Sequence, residues 1–196
     1  MNSIDQIELF VIKCAVIESD LRKTLSEFSE NALSKAESDD ALSEYVSQFD
    51  IESRIRAKKM AQYYELFYML ENDIRKIIAE TLEEVHGANW WDSCVDQQVK
   101  DEVTKNKKRE AEAGISLRSD ADIDYSTFGQ LGEIIKKNWP DFAGMLSNQS
   151  ALSRVIFQLN MLRAAIAHCG VLADDEVDRL KLTIKDWFRV LAGPQT

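Results

Sequence analysis

Arg163 and His168 stand five positions apart in the apolar run Leu159-Asn-Met-Leu-Arg-Ala-Ala-Ile-Ala-His-Cys-Gly170. An imidazole titrates near neutrality and can take up or release a proton, and a guanidinium presents a planar fork that matches phosphate oxygens. Each residue also has a reading without chemistry. A histidine near the end of a helix is favoured by the C-terminal dipole, and an arginine can lay its stem over a core with its head in water. Five residues of ideal helix turn through about 500°, which leaves the two side chains about 140° apart around the axis. They flank one cleft only if the helix ends or distorts near Ala167, where Gly170 is expected as a left-handed C-terminal cap, or if a second subunit supplies part of the site.

Other residues are candidates for supporting roles. Glu71 and Arg75 are spaced i,i+4 and either form a surface ion pair of a few tenths of a kcal/mol or belong to a site. Lys105, Lys107, Lys108 and Arg109 form the densest basic run, read either as a solvated helix face or as a phosphate-positioning patch. Cys169 beside His168 does not make a nucleophile pair, because adjacent helical residues point about 100° apart. Cys14, Cys94 and Cys169 follow neither a disulfide framework nor a CxxC metal pattern, so free thiols in a reducing cytoplasm are expected. P-loop, GxGxxG and HExxH patterns are absent, and the histidines are His86 and His168 alone. Neither a metal nor a cofactor is expected.

The elements that must position these residues are helices. Only 2 prolines and 7 glycines occur in 196 residues, and helix formers dominate, so the expected class is all-α. Charges interrupt every apolar stretch before it could cross a bilayer, and the first residues lack the pattern of a secretory signal, so no membrane association is expected. The net charge of −10 repels nucleic acid at long range, and any phosphate site must be a local feature working against that field.

Apolar residues recurring at three and four positions predict a helix over Ser3–Asn31, then a polar break at Ser34–Asp40 and a short helix over Leu42–Phe49. A long helix follows over Ile51–Val85, with Phe67, Leu70, Ile74, Ile77 or Ile78, Leu82 and Val85 as its apolar stripe. Gly87 ends it, and Trp90 and Trp91 follow in the turn, read as core anchors closing it in preference to base-stacking platforms. Further helices are expected over Val95–Ala113, over Phe128–Ile135 with a stop before Pro140, and over Ala151–Cys169. Gly114–Asp124 reads as a loop. The last helix begins at Asp174-Asp175-Glu176, three acids suited to a helix N-terminus, and points Val177, Leu180, Ile184, Trp187, Phe188 and Leu191 inward.

The arginine, four residues and histidine, followed by a turn and a final helix, resemble the R-x4-6-H motif of the HEPN (higher eukaryotes and prokaryotes nucleotide-binding) superfamily. Upstream, Leu70-Glu-Asn-Asp-Ile-Arg-Lys-Ile-Ile78 looks like the E-x3-R helix of one branch, and Trp90-Trp91 sits where that branch carries a tryptophan pair. The stretch Phe128–Ile135, then Trp139 and Phe142, is similar to its middle, and Leu172 with Asp174-Asp175 completes the order. The likeness runs from Tyr63 to Leu191. It implies an HEPN-like bundle of four or more helices over residues 58–192, preceded by a helical extension over 1–57 and followed by a short tail, 193–196.

The resemblance further implies a homodimer in which Arg-His pairs meet near the seam, and a metal-independent endoribonuclease, often a toxin or phage-defence effector. In that reading His168 is the base for the 2′-hydroxyl and Arg163 the cation beside the phosphorane. Glu71 and Arg75 lie near the cleft. Ala164 departs from the polar residue that active members often carry after the arginine, and Asn160, one turn earlier, is the candidate replacement. Partners implied are RNA and an antitoxin or other regulatory protein. The rival expectation is a non-catalytic HEPN module that dimerises and binds a nucleotide or RNA.

Overall fold

The computed structural model describes residues 42–193. The expected helix over Ser3–Asn31, the break at Ser34–Asp40 and Cys14 lie outside the described residues. Contacts group the chain into two units divided between Arg54 and Ile55. In the first, α1 (Ser43–Ser47) is a single exposed turn. Asp50 then starts α2 (Ile51–His86) by accepting the Ser53 N–H on Oδ1 at 2.9 Å, so that one of the unpaired N-terminal donors is satisfied.

Every regular element among the described residues is helical. Gly87, with φ +73°, closes α2 by donating its N–H to Glu83 O at 2.8 Å. Beside it His86 Nε2 lies 2.8 Å from Asp141 Oδ2, which ties this helix end to a distant one. Trp90 and Trp91 are not in a turn: they open a one-turn helix, α3 (Trp90–Cys94), with their rings edge to face at 5.5 Å. Next come α4 (Gln97–Glu112) and a 3-10 turn over Asp122–Tyr125, which begins within the segment expected to be loop.

Thr127 and Gln130 form a capping box at the start of α5 (Phe128–Lys137). Pro140 does stop α5, but it does so inside the first turn of a new short helix, α6 (Trp139–Phe142), where its missing N–H costs nothing. α7 (Gln149–Ala167) begins with Asn148 accepting the Ala151 N–H, and α8 (Asp174–Leu191) ends the described chain.

α7 is the central rod, packed against α5 on one side and α8 on the other. Gly132 of α5 makes the first contact possible, since a Cβ there would stand 2.6 Å from Ile156 Cγ2. Leu152, Val155, Ile156 and Leu159 of α7 share one core with Leu131 and Ile135 of α5 and with Leu180 and Trp187 of α8. α2 joins it through Phe67, Leu70, Ile74, Ile78 and Leu82, and Phe67 meets Phe128 edge to face at 6.2 Å. Each such side chain contributes about 1.5–3 kcal/mol by leaving water, and truncating Leu159 to alanine would cost about 2–5 kcal/mol. Two expected core positions are exposed, Val85 and Phe188. Val85 falls in the last turn of α2, beyond the reach of the core, and Phe188 lies beside the buried Trp187, about 100° around the helix.

Candidate functional site

α2 carries a stripe at steps of four, three and four: Tyr64, Tyr68, Glu71 and Arg75. On an ideal helix these positions, with Asn72, fall within an arc of about 100°. The stripe forms one wall of a cleft of about 580 Å³. Arg163, Ile166 and Ala167 from the end of α7 form the second wall, and Arg118, Ser119 and Asp124 close it from the loop before α5.

Glu71 organises the interior. Its Oε1 accepts from Arg75 Nη2 at 2.5 Å and its Oε2 from Arg163 Nε at 3.3 Å. The Glu71–Arg75 pair is no surface pair, because the two side chains are 10% and 14% exposed. Arg75 also donates to Ser126 O at 3.2 Å and approaches Asp124 at 3.9 Å, which locks it against the 3-10 turn. Arg163 is held only through Nε. Its side chain is 40% exposed, and its two Nη groups make no hydrogen bond to the described residues. The result is a guanidinium fixed at its stem and open at its fork, the arrangement that suits a phosphate or carboxylate ligand.

His168 stands apart from this cluster. α7 stays regular through Ala167, the last residue of the wall, and His168 is its exposed C-cap with no side-chain hydrogen bond to the described residues. The reversal after it also differs from expectation. The left-handed residue is Cys169, with φ +59°, and not Gly170. Cys169 N–H bonds Ile166 O at 3.1 Å and Gly170 N–H bonds Ala165 O at 2.8 Å, a Schellman motif. Glycine is needed at 170 for a different reason: a Cβ there would lie 2.9 Å from Ala165 O.

Asn160 faces away from the cleft, toward Gly129 of α5, its Nδ2 3.7 Å from where a Cβ would project. The basic run does not line the cleft either. Lys107 is committed to structure, 2.6 Å from Asp122 and 5.1 Å over the Tyr125 ring. Lys108 pairs with Glu112 at 3.7 Å, while Lys105 and Arg109 are exposed on α4. Arg118, on the cleft rim, is bound by Glu110 and lies 4.8 Å from the centre of the Tyr125 ring. Hydrogen bonding to that guanidinium holds the Glu110 carboxyl below its ordinary pKa.

Three cleft residues escape a reading of the sequence: Tyr64, Tyr68 and Arg118. The tyrosines did leave a signal, since they continue the Glu71–Arg75 stripe by one and two turns. Arg118 left none, because a loop residue has no periodicity. Among the described residues no three His, Cys, Asp or Glu side chains converge as a set of metal ligands.

No curated protein and no solved structure matches this chain. A family model does: that of the Swt1-like HEPN domain matches residues 65–192, about two-thirds of the chain, and it covers both walls of the cleft except Tyr64, together with the Arg163–His168 segment. The chain therefore belongs to the Swt1-like HEPN family.

Proposed function

We propose that this chain is a metal-independent endoribonuclease acting as a homodimer, with Arg163 as the phosphate clamp and His168 as the general base. The observation that carries the reading is Arg163 itself, anchored by a buried carboxylate with both Nη groups open at a cleft. In the reaction His168 takes the 2′-hydroxyl proton and the 2′ oxygen attacks phosphorus. The P–O5′ bond breaks, the leaving oxygen takes a proton, and a 2′,3′-cyclic phosphate and a 5′-hydroxyl remain. The fork of Arg163 offsets the charge that gathers on the phosphorane oxygens.

His168 lies outside the cleft of its own protomer, and a second copy is the means by which it meets an arginine. Phe157 and Met161 on α7 are 67% and 59% exposed, and with Ala164 they share a face of the helix with His168. Large apolar side chains so placed suit a homodimer seam. Residues 58–192 are then the bundle and 1–57 an extension. A cytoplasmic toxin or phage-defence role, with an antitoxin or other regulatory partner, rests on the family likeness.

Ala164 and the position of His168 favour a second reading, a non-catalytic module that binds RNA or a nucleotide through the same cleft. One comparison separates the two. Purified wild type, Arg163→Ala and His168→Ala are incubated with RNA in EDTA, and the RNA is resolved on a denaturing gel. Cleavage by the wild type alone supports the enzyme; intact RNA in all three leaves the binding module.

A further inference from the structure

Tyr64 and Tyr68 are 64% and 62% exposed although they sit on the longest helix of the bundle. Their ring centroids are 6.5 Å apart and their planes differ by 33°. Core packing does not require them. The same helix face, one turn on, carries the Glu71 that holds Arg163, and all four residues line one cleft. Two exposed, mutually tilted rings in the same cleft as an open guanidinium combine a π surface with a hydrogen-bond donor for phosphate.

We propose that Tyr64 and Tyr68 are a stacking platform for an unpaired base whose adjoining phosphate is held by Arg163. The inference deepens the ribonuclease reading, on whose site it rests, by naming what the cleft grips besides phosphate. An aromatic face accepts any base, so the platform confers a requirement for an unstacked nucleotide and little preference for sequence. A duplex keeps its bases stacked on one another and cannot use it. In a chain of net charge −10, a grip on the base also reduces the reliance on phosphate attraction alone.

The test uses the full chain and a fluorescently labelled hexamer of 2′-O-methyl RNA, which lacks the attacking hydroxyl, at low salt. Fluorescence anisotropy gives the affinity. The expected result is that Tyr64→Ala/Tyr68→Ala binds ~10-fold or more weakly, while Tyr64→Phe/Tyr68→Phe stays within about twofold of wild type. A backbone-matched hexamer without bases should bind the wild type and the alanine variant alike. No binding by the wild type, equal hexamer binding by the alanine variant, or an equal loss on the base-free hexamer would each overturn the platform. So would loss of the dimer in the alanine variant by sedimentation, which would assign the rings to a partner copy. Ring-dependent binding without any RNA cleavage sinks the ribonuclease reading and leaves the platform standing. Cleavage with an unchanged KM in the alanine variant does the reverse.

Discussion

Glu71 and Arg163, 92 positions apart in the chain, are joined by a hydrogen bond of 3.3 Å from Arg163 Nε to Glu71 Oε2. The other carboxylate oxygen is taken by Arg75. One buried carboxylate thus serves two guanidinium groups, and Asp124, 3.9 Å from Arg75, supplies the second negative charge of the cluster. Because Glu71 binds Nε and leaves Nη1 and Nη2, it orients Arg163 without occupying the part of the fork a ligand would use.

Glu71→Ala should be the most destabilising change in the cleft. It removes the closest carboxylate from Arg75, whose side chain is 14% exposed, and leaves it only the Ser126 carbonyl, Asn72 and the more distant Asp124. A loss of about 2–4 kcal/mol is expected, with Glu71→Gln costing less because it retains an acceptor. Thermal melts followed by circular dichroism measure it. A melting temperature within about 2 °C of wild type would show that the cluster is not stabilising.

If His168 is the base and Arg163 the clamp, cleavage should survive EDTA and leave 2′,3′-cyclic phosphate ends. DNA should resist, lacking the 2′-hydroxyl. His168→Ala should slow the reaction by ~10²-fold or more. Arg163→Lys should recover little, since an ammonium cannot reproduce the fork. Mass spectrometry of the fragment ends and single-turnover rates decide the point; full activity in the His168 variant would discard the mechanism.

The second copy is testable by complementation. Sedimentation should give a mass near twice 22.4 kDa, and Phe157→Glu/Met161→Glu should reduce it to one chain. Mixing Arg163→Ala with His168→Ala protomers should restore about a quarter of wild-type activity, because random pairing leaves one intact shared site in half the dimers. Inactive mixtures would place both residues in one subunit.

The end of α7 carries a prediction about stability alone. Cys169 holds φ +59° without being glycine, so Cys169→Gly should stabilise by about 0.5–1 kcal/mol. Gly170→Ala should destabilise by about 1–3 kcal/mol, since the new Cβ would press on Ala165 O, 2.9 Å away. Urea unfolding of both variants checks the pair of signs. The reverse order would mean that 170, not 169, is the strained position.

The placement of the longer helices was legible because it depends on local properties, whereas the short α3 and α6 were not read. Apolar spacing on α2, α5, α7 and α8 and Gly87 after α2 act within a turn or two of the chain. The family likeness was legible for the same reason, as ordered blocks along one strand of text. What misled was also local. Gly170 reads as the left-handed residue, but that residue is Cys169, and Gly170 is required for a close approach to Ala165.

The types of the site residues, Glu71, Arg75, Arg163 and His168, and their helical settings are determined by the sequence alone. Which of them meet is not. Periodicity orders side chains around one axis and contains no information on how that axis crosses another. Only packing of α2 beside α7 sets Glu71 between two arginines and leaves Tyr64 and Tyr68 on the cleft wall, and only packing of α5 on α7 sets Asn160 against Gly129. It also leaves His168 outside that wall, because α7 remains regular through Ala167 and a regular helix keeps residues five apart on different faces.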